Sequence, residues 1–573
     1  MRYRELFDQW NNFSELESHL KEDLHQLATD EKKIEDAFYR DLEFGTGGMR
    51  GEIGAGTNRI NTYTVRKATT GLASYIKGAG AEAMERGVVI AFDSRRFSPE
   101  FAHEAANTLA SNGIKAYLYL EPRTTPQLSF SVRHLHAFMG IVITASHNPP
   151  EYNGYKVYGE DGAQLNIEDA EVVIQHVNDA GDALHIDQRN PDNQLIIHLD
   201  EKLDQAYMEA LKTVQENEEL ASSSELKVVF TPLHGASGKT VQRILSEVGY
   251  EHISYVEEQM EPDGDFPTVE SPNPEEQSAF EYAIQYGERN DADILIAVDP
   301  DGDRVGIAVK KGSTYELLTG NQTGAILIDY LLSQRRAKGN IPANGRVFKT
   351  IVTSDLGRVI AEYYEMSTEN VLTGFKFIGE KIKKYEETKE FEFLFGYEES
   401  YGYLIKDFAR DKDAVQSVLA IVEAAAYYKK QGKTLLDVLS MLYERHGFYL
   451  EGLQSVTKKG VSGANAIKNL LEHVRTNRIT EVAGINVTSQ EDYLYSIRTF
   501  TDGRETEGIF LPKSNVIKYF LADGSWVCVR PSGTEPKIKY YYGVLSSTEV
   551  ESIEKLKSLQ GDFSLKMNQY LKE

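Results

Sequence analysis

The sequence predicts an α/β protein made of several layered domains, and three observations support this fold class. The 573 residues allow three to four domains at about 150 residues each. The composition is 41% hydrophobic and 26% charged, which is typical of a folded chain that buries several cores. Short β-rich runs alternate with longer segments whose apolar residues are spaced three and four apart. Strands interleaved with helices indicate largely buried sheets covered by helices.

The predicted strands are short, apolar and rich in β-branched residues. Between them, amphipathic helices are predicted at 65–77 and 99–112. Polar segments at 176–203, 222–224 and 310–320 are predicted joints between domains. The strands are predicted at 88–92, 116–120, 138–143, 227–231, 294–298, 304–309, 346–352 and 392–395.

The C-terminal part of the chain has a different character. Strands are predicted near 484–488 and 496–500, separated by polar turns, and a closing helix is predicted at 547–572. This pattern indicates a smaller α+β unit. The whole chain is therefore predicted to divide into four domains, at 1–203, 204–318, 319–450 and 451–573.

Charge and cysteine content argue against several classes of function. Sixty-two Lys and Arg against 88 Asp and Glu give a net charge of −26, which would repel nucleic acids and anionic membranes. The single cysteine, Cys528, cannot form an internal disulfide and lies in a predicted buried strand. The N-terminus lacks an apolar leader, and no run of about 18 apolar residues could span a bilayer. We expect a cytoplasmic protein, in which any anionic substrate needs a local cluster of positive groups.

A serine follows one of the most apolar predicted strands. Ser146 lies in TASHNPPEYNGYK, 144–156, directly after 138–143, where a hydroxyl would point into a crevice. It is a candidate nucleophile, and a capping serine before the Asn-Pro-Pro turn is the structural alternative. A lipase-type elbow is disfavoured, because Ala145 and His147 occupy positions where that turn needs glycines, and we expect the His147 ring to point away.

Three aspartates follow another predicted strand. Asp299, Asp301 and Asp303 alternate in VDPDGDR, immediately after 294–298. Three carboxylates at one strand end repel one another unless a cation lies among them, and Mg²⁺ is the natural partner where phosphate is also bound. An EF-hand is excluded because Lys310 stands where that loop needs a bidentate glutamate. A simple Asp-Gly turn is the alternative, but it needs one aspartate only.

Two further loops could bind an anion. The segment 44–51 is glycine-rich and carries Arg50, but it lacks the endings of P-loop and dinucleotide-binding motifs, so neither an ATPase nor a dehydrogenase is supported. The segment 530–539, RPSGTEPKIK, predicts a phosphate clamp, for which a Pro-Gly turn is the alternative. Its candidate ligands are a guanidinium, two hydroxyls and a glycine backbone, from Arg530, Ser532, Gly533 and Thr534.

The loops 373–376, TGFK, and 396–402, GYEESYG, have the chemistry of sugar recognition. Glu398 and Ser400 are two residues apart, so both side chains would face one way in an extended backbone. An exposed acidic turn is the alternative. The order of serine, carboxylate, sugar and phosphate loops along the chain favours one shared site.

These motifs resemble the α-D-phosphohexomutase superfamily, and specifically its long phosphoglucomutase branch with phosphopentomutase-like relatives. The resemblance extends from residue 40 to residue 545. It implies three mixed α/β layered domains of similar fold and a smaller C-terminal α+β domain around a central cleft. The motifs that carry it are TASHNP, DPDGDR, GYEES and RPSGTEP, with support from FGTGGMRG, DSRR (93–96) and FPTVESPNP (266–274).

The resemblance also implies a role for each motif residue. Ser146 would be the phosphoserine, and the three aspartates with a phosphoserine oxygen would hold one Mg²⁺ per chain. Arg50 and Lys156 would flank the reacting phosphoryl group, with Lys156 or His147 as proton donor and acceptor. The remaining motif residues would bind the substrate: Glu398 and Ser400 its hydroxyls, Thr373, Gly374 and Lys376 the sugar, and Arg530, Ser532, Gly533 and Thr534 the non-transferred phosphate.

The activity implied by the resemblance is the interconversion of glucose 1-phosphate and glucose 6-phosphate, with glucose 1,6-bisphosphate as intermediate and activator. Mannose and pentose phosphates stay open, because Tyr401 stands where many family members have glycine. A Mg²⁺-dependent sugar phosphatase and a non-catalytic sugar-phosphate binding protein are more distant alternatives. Small sugar phosphates are the expected partners, and the sequence leaves the oligomeric state open.

Overall fold

A computed structural model describes residues 2–45, 47–186, 192–458, 460–531 and 537–571. The chain forms two compact units. Unit 1 comprises Met1–Gly320 and Phe375–Thr434, and unit 2 comprises Asn321–Gly374 and Leu435–Glu573. Among the described residues, no helix combines the length and apolar character needed to cross a lipid bilayer.

Helices occur along the whole chain, and after the first three they alternate with strands. The described α-helices are α1 (Arg2–Asn11), α2 (Ser18–Leu27), α3 (Glu31–Phe38), α4 (Thr62–Ala79), α5 (Ala81–Arg86), α6 (Ser98–Ser111), α7 (Thr125–His134), α8 (Ile167–Asp179), α9 (Glu201–Lys212), α10 (Gly238–Val248), α11 (Glu257–Met260), α12 (Glu281–Asn290), α13 (Gly320–Ala337), α14 (Leu356–Tyr363), α15 (Lys376–Thr388), α16 (Ala414–Lys429), α17 (Leu435–His446), α18 (Gly460–Thr476) and α19 (Glu549–Tyr570).

The strands are mostly short, and they become longer and more numerous toward the C-terminus. The described strands are β1 (Met49–Glu52), β2 (Val88–Phe92), β3 (Ala116–Leu118), β4 (Met139–Ile143), β5 (Tyr152–Gly159), β6 (Ile196–His198), β7 (Val228–Thr231), β8 (Ile253–Tyr255), β9 (Ile294–Val298), β10 (Val305–Lys311), β11 (Thr314–Leu318), β12 (Gly345–Thr350), β13 (Ser367–Val371), β14 (Glu392–Glu398), β15 (Gly402–Leu404), β16 (Phe448–Thr457), β17 (Glu481–Val482), β18 (Ile485–Asp492), β19 (Ile497–Phe500), β20 (Glu507–Gly508), β21 (Ile517–Leu521), β22 (Trp526–Pro531) and β23 (Lys537–Ser546).

Unit 1 contains two sheets with a common plan. The first has the order β1-β5-β4-β2-β3-β6, with parallel pairing from β4 to β6 and antiparallel pairing of β4, β5 and β1. The second has the order β11-β10-β9-β7-β8, again with parallel strands on one side and an antiparallel meander on the other. In both sheets a buried central strand, β4 or β9, turns into an antiparallel neighbour. The mixed, repeated α/β layers confirm the predicted fold class.

The cores of unit 1 follow from the apolar strands. All five residues of β2, β4 and β9 are buried, so helices cover both faces of these sheets. A separate cluster joins helices α1 to α3 to the first domain, with Trp10, Leu20, Leu24 and Phe38 nearly inaccessible. This N-terminal helical segment was not among the sequence predictions.

Unit 2 contains the C-terminal sheet, in which β16, β23, β22, β21 and β18 pair antiparallel. One face packs on α18 and α19 through a core that includes Leu470, Tyr540 and Phe563. This is the smaller α+β domain that the sequence predicts. Cys528 is buried in β22, as expected.

Most predicted elements occur within a few residues of their predicted limits, and 88–92 and 294–298 match β2 and β9 residue for residue. The predicted joint at 310–320 ends where unit 1 gives way to unit 2, after Gly320. The segment 310–320 contains β11, which pairs with β10 from Lys311 opposite Thr314 to Ile307 opposite Leu318. The Lys-Gly-Ser turn closes this hairpin, so the polar residues at the start of the segment form a turn, and the boundary between the units follows β11.

Candidate functional site

Three hairpins in unit 1 carry predicted site residues in equivalent positions. Each hairpin joins a central strand to an antiparallel neighbour: β4 to β5, β9 to β10, and β14 to β15. Ser146 lies in the first connection, the three aspartates in the second, and Glu398 is the last residue of β14. Strand ends of this kind place side chains in the crevice beyond a sheet, where α/β proteins bind ligands.

Ser146 is held in a conformation that serine rarely adopts. Its φ is 53°, in the left-handed region, and its exposure is 4%. Its Oγ donates a hydrogen bond of 2.6 Å to Asp299 Oδ2, and its backbone N–H donates one of 2.7 Å to Thr144 Oγ1. A backbone of this kind costs of the order of 1–3 kcal/mol and persists only where its surroundings enforce it. The loop therefore aims the serine hydroxyl at the aspartates.

The three aspartates form one buried cluster, in which a carboxylate oxygen of each lies within 4.8 Å of the others. Their exposure is 0% for Asp299 and Asp301 and 2% for Asp303. Burial and the charges of its two neighbours raise the pKa of Asp299 well above its usual value. Burial also opposes ionisation of Asp301, but the nearby Lys156 ammonium holds the pKa of that carboxyl below its usual range. So dense a carboxylate cluster requires compensating positive charge.

Two oxygens of this cluster are available for a metal. Oδ1 of Asp301 and Oδ1 of Asp303 are buried and have no hydrogen-bond partner among the described residues. The turn between them is tight, because Gly302 has a φ of 69° and a Cβ there would lie 2.4 Å from Thr124 Cγ2. Several carboxylate oxygens with unused lone pairs fit a hard divalent cation. The residues present could therefore hold a metal ion.

Two lysines approach the cluster from different elements. Lys156, on β5, places Nζ 2.9 Å from Asp301 Oδ2. Lys412 places Nζ 3.0 Å from Asp303 Oδ2 and 3.0 Å from Asp411 Oδ1. Burial opposes the charge of Lys412, but Asp303 and Asp411 raise its pKa above the ordinary value. Both ammonium groups are positioned to face an anion beside the aspartates.

Lys412 was not found from the sequence. It lies in FARDKD, between β15 and α16, where one lysine among aspartates has the pattern of a solvated turn. The two aspartates that flank it, Asp411 and Asp413, are the sequence signal from which this lysine could have been predicted. Thr125, at the start of α7, was missed for a similar reason: its Oγ1 donates a 3.0 Å hydrogen bond to Asp301 Oδ2 across 176 residues of sequence.

His147 does not point away from the serine, and the expectation that it does is wrong. Its Nδ1 lies 3.1 Å from Ser146 Oγ, because the left-handed backbone at Ser146 brings the two adjacent side chains to the same side. Burial, followed by the positive charges of Arg304 and Arg50, lowers the pKa of His147 well below its usual value. The imidazole is therefore neutral at pH 7.

Arg50 also belongs to this group of side chains. It lies on β1 opposite Gly154 of β5, and its Nη1 donates a 3.1 Å hydrogen bond to Asn148 Oδ1 in the serine loop. Lys156 follows on the same strand β5. Pairing of β1 with β5 thus brings an exposed guanidinium from a distant part of the sequence to the Ser146 loop.

The sugar-recognition residues are arranged differently from the expectation. Glu398 ends β14 and is 5% exposed, but Ser400 lies in the turn before β15, where Tyr401 has a φ of 63°. The extended backbone needed to align the two side chains is therefore absent at this turn. In the other predicted sugar loop, 373–376, Lys376 is the first residue of α15 and belongs to unit 1. Burial lowers the pKa of its ammonium group. Thr373 and Gly374 belong to unit 2.

The predicted phosphate clamp is described only in part. Arg530 lies on β22 in unit 2, and its Nη1 donates a 3.4 Å hydrogen bond to Tyr541 Oη. Ser532, Gly533 and Thr534 lie outside the described residues.

The repeated α/β layers and the buried serine and carboxylate groups are those of an α/β enzyme. The phosphoglucomutase/phosphomannomutase family models match this chain over its four domains: α/β/α domain I at residues 41–183, domain II at 205–312, domain III at 319–446 and the C-terminal domain at 474–556. The chain belongs to this family, and the predicted resemblance is confirmed.

Curated relatives are similar over nearly the whole chain. A phosphoglucomutase of Staphylococcus epidermidis is 41% identical over 92% of this chain and 94% of its own length. A phosphoglucomutase of Staphylococcus haemolyticus is 40% identical over 88% of this chain and 91% of its own length.

Solved structures share the fold at low identity. Parafusin, a phosphoglucomutase from Paramecium in its open form, superposes with a TM-score of 0.68 at 17% identity, covering 93% of this chain and 96% of its own. A phosphoglucomutase/phosphomannomutase family protein from Burkholderia thailandensis has a TM-score of 0.65 at 18% identity, covering 92% and 97%.

Proposed function

We propose that this protein is a phosphohexomutase that interconverts glucose 1-phosphate and glucose 6-phosphate, with Ser146 as the carrier of the phosphoryl group. The observation that carries the proposal is the 2.6 Å contact of the buried Ser146 Oγ with an aspartate of the three-carboxylate cluster. A serine in that place can accept a phosphoryl group and transfer it. The names of the curated relatives support glucose phosphates as substrates.

One Mg²⁺ per chain is the proposed metal, held by Asp299, Asp301, Asp303 and an oxygen of phosphorylated Ser146. Bound Mg²⁺ would neutralise charge on the phosphoryl oxygens in the transition state. The support for this assignment is the pair of buried aspartate oxygens without hydrogen-bond partners among the described residues. Lys156 and Lys412 hold two of the aspartates and add positive charge near the same place.

In the first half-reaction, the phosphoryl group passes from Ser146 to the sugar. The bond between the phosphorus and Ser146 Oγ breaks, and a new bond forms between the phosphorus and the free hydroxyl oxygen of a sugar monophosphate. The proton of that hydroxyl passes by way of His147 or Lys156, the proposed proton acceptor and donor, to the Ser146 oxygen, so that no proton is gained or lost overall. His147 Nδ1, 3.1 Å from Oγ, is placed to exchange a proton with the serine, and its low pKa keeps it neutral between transfers.

The second half-reaction returns the other phosphate of the sugar bisphosphate to Ser146. Glucose 1,6-bisphosphate is therefore both the proposed intermediate and the proposed activator. Arg50 would contact the reacting phosphoryl group from the serine loop. Glu398, Ser400, Thr373, Gly374 and Lys376 would bind the sugar, and Arg530, Ser532, Gly533 and Thr534 the phosphate that is not transferred.

We propose a cytoplasmic location, with small sugar phosphates as ligands and neither nucleic acid nor membrane as partner. The net charge of −26 supports the last point. Phosphomannomutase and phosphopentomutase are the alternatives within the same family.

The test is a coupled assay in which 1-phosphates of glucose, mannose, ribose and deoxyribose are compared, with Mg²⁺ and a trace of bisphosphate. Glucose 1-phosphate should give the highest kcat/KM. Ser146→Ala should abolish turnover and remove the phosphate found by intact mass and peptide mapping, whereas Ser74→Ala, on the exposed face of α4, should change neither. Retained activity in Ser146→Ala would point to a phosphatase, and a preference for another sugar would replace the substrate.

A further inference from the structure

Arg95 is a buried arginine that the reaction described above does not use. It lies in DSRR, in the loop that follows β2, and its side chain is fully inaccessible. Its Nε lies 3.4 Å from Asp93 Oδ2, and the other oxygen of Asp93 accepts hydrogen bonds from Arg95 N and Ser98 Oγ. A buried charge is expensive unless it is paired and hydrogen-bonded, so the position of this guanidinium requires an explanation.

The guanidinium is directed at the backbone of the Ser146 loop. Nη2 donates a 2.6 Å hydrogen bond to the carbonyl oxygen of Ser146 and a second hydrogen bond to that of Asn148. Nη1 donates to the carbonyl oxygens of Pro149, at 2.8 Å, and Tyr152, at 2.9 Å. One planar group thus binds four carbonyls of a single loop, which its fixed fork of donors suits and an ammonium does not.

These bonds explain how Ser146 keeps its unusual backbone. Its N–H is bound by Thr144 on one side, and its carbonyl is bound by Arg95 on the other. With both peptide groups fixed, the residue stays at φ 53° and Oγ stays directed at Asp299. The Pro149 carbonyl also accepts a 3.1 Å hydrogen bond from Tyr152 N, but without the guanidinium the carbonyls of Ser146 and Asn148 would lose the hydrogen bonds that fix the loop around the serine.

The same arginine also contacts the domain that carries the aspartates. Its Cζ lies 5.1 Å from the ring centroid of Phe266, a residue that is 1% exposed. Beside it, Arg96 forms an ion pair with Asp265, and Gly264 lies so close that a Cβ would be 2.4 Å from Arg96 N. The family model for domain II, 205–312, includes Phe266 and the aspartates alike.

We propose that Arg95 is the positioning residue for phosphoryl transfer: it fixes the Ser146 loop through four carbonyls and, through Phe266, sets that loop against the domain of the aspartates. The proposal rests on the proposed function of Ser146. A serine displaced by about 1 Å from the reacting geometry can lose roughly 100-fold in rate. Since Arg95 reaches the site through the backbone of the loop, its loss should lower kcat and leave substrate affinity largely intact.

The experiment measures kcat, KM, thermal transition and Ser146 phosphorylation of the full-length protein for three variants. Arg95→Lys keeps the charge but cannot reproduce the planar fork. Phe266→Leu keeps the four carbonyl bonds and removes the aromatic face. Arg66→Lys is the matched control, because Arg66 forms a mostly buried ion pair with Glu104 in the same domain, away from the loop.

We expect kcat to fall about 100-fold in Arg95→Lys and about 3- to 10-fold in Phe266→Leu, with KM within about threefold of the unmodified enzyme in both. Arg66→Lys should keep its kcat. An unchanged kcat in a folded Arg95→Lys, or an equal kcat loss in Arg66→Lys, would overturn the proposal. If Arg95→Lys does not fold, Phe266→Leu decides, and an unchanged kcat there would overturn it. Failure of the proposed function is distinct, because the unmodified protein would then show no mutase turnover.

Discussion

At the scale of single residues, the buried charges of this protein divide into those that are fully hydrogen-bonded and those that are not. Asp413 accepts hydrogen bonds from the backbone N–H groups of Val415 and Gln416 and from Tyr207 Oη, which is the pattern of a structural cap on α16. Asp301 and Asp303, in contrast, each keep one buried oxygen without a partner among the described residues. Such unsatisfied oxygens are costly for folding, and their presence in a strand-end loop indicates a ligand.

The first prediction concerns the metal. Asp301→Asn should raise the Mg²⁺ concentration needed for half-maximal activity by at least roughly 10- to 100-fold, because it removes one charged oxygen ligand. Its thermal transition without metal should also fall, since the lowered pKa of Asp301 means that its charge stabilises the folded state through Lys156. Asp41→Asn, at an exposed ion pair with Lys67, is the control and should leave the Mg²⁺ response unchanged. Full turnover of EDTA-treated protein would show that the aspartates do not serve a metal.

The second prediction concerns pH. Burial raises the pKa of Asp413 to about 6 in spite of its hydrogen bonds. Because this acid titrates at a higher pH when folded than when unfolded, its stabilising contribution is present below about pH 4 and is lost as pH rises to about 6. The loss amounts to at most about 3 kcal/mol, from the difference between the two pKa values.

Asp413→Asn has no such titration. The thermal transition temperatures of the two proteins are measured from pH 4.5 to pH 7.5. As the pH rises to about 7, the transition temperature of the unmodified protein should fall relative to that of the asparagine variant. A difference that stays constant over this range, or that moves in favour of the unmodified protein, would contradict the assigned pKa.

At the scale of elements, the strand ends could be predicted and the loop conformations could not. Alternating and apolar patterns located β2 and β9 residue for residue, because a buried strand needs a continuous apolar run. The same patterns gave Ser146 and the aspartates their places after β4 and β9. They could not reveal the left-handed backbone of Ser146, since this depends on the distant Arg95.

Residues that act through a partner far along the chain were missed for the same reason. Lys412 is paired with Asp303 across more than a hundred residues of sequence, and nothing local distinguishes it from a surface lysine. The turn at Ser400 was misjudged because its polar residues suit an extended segment equally well. Local sequence specifies turns less strictly than it specifies buried strands.

The third prediction tests the junction of β1, β4 and β5. Gly154 lies on β5 opposite Arg50, and a Cβ there would lie 2.4 Å from the carbonyl oxygen of Thr144 and 2.8 Å from that of Met49. Gly154→Ala must therefore push β1 and the end of β4 away from β5. We expect a stability loss of about 1–3 kcal/mol and a kcat reduced at least about 10-fold, because Arg50 and the Ser146 loop both shift.

Gly78→Ala is the control for this substitution. A Cβ at Gly78, near the end of α4, meets nothing within 4 Å, so alanine should stabilise the helix by up to about 1 kcal/mol and leave kcat unchanged. Chemical denaturation and steady-state kinetics of the two variants provide the comparison. A Gly154→Ala enzyme with normal kcat would show that the spacing of these strands does not position the site.

At the scale of the whole molecule, the proposed chemistry is divided between the two compact units. Ser146, the aspartates, Lys156 and Lys412 belong to unit 1, whereas Arg530 belongs to unit 2. The separate serine and phosphate-clamp motifs already indicate such a division, since a reacting phosphoryl group and a second, non-transferred phosphate each need their own ligands.

The fourth prediction follows from this division. Arg530→Ala should raise KM for glucose 1-phosphate by roughly 10- to 150-fold, because loss of a charge-assisted contact to phosphate costs about 1.5–3 kcal/mol. Phosphorylation of Ser146 should persist, since the serine and its aspartates lie in the other unit and keep all their contacts. The variant should thus be a competent phosphoenzyme that binds its substrate weakly.

Arg478→Ala removes the same charge from an exposed position of unit 2 and should change neither property. Steady-state kinetics and intact mass distinguish the outcomes. An unchanged KM in Arg530→Ala would show that the 530–539 loop is only a structural turn. A lost phosphoserine would mean that Arg530 binds the reacting phosphate and not the distal one.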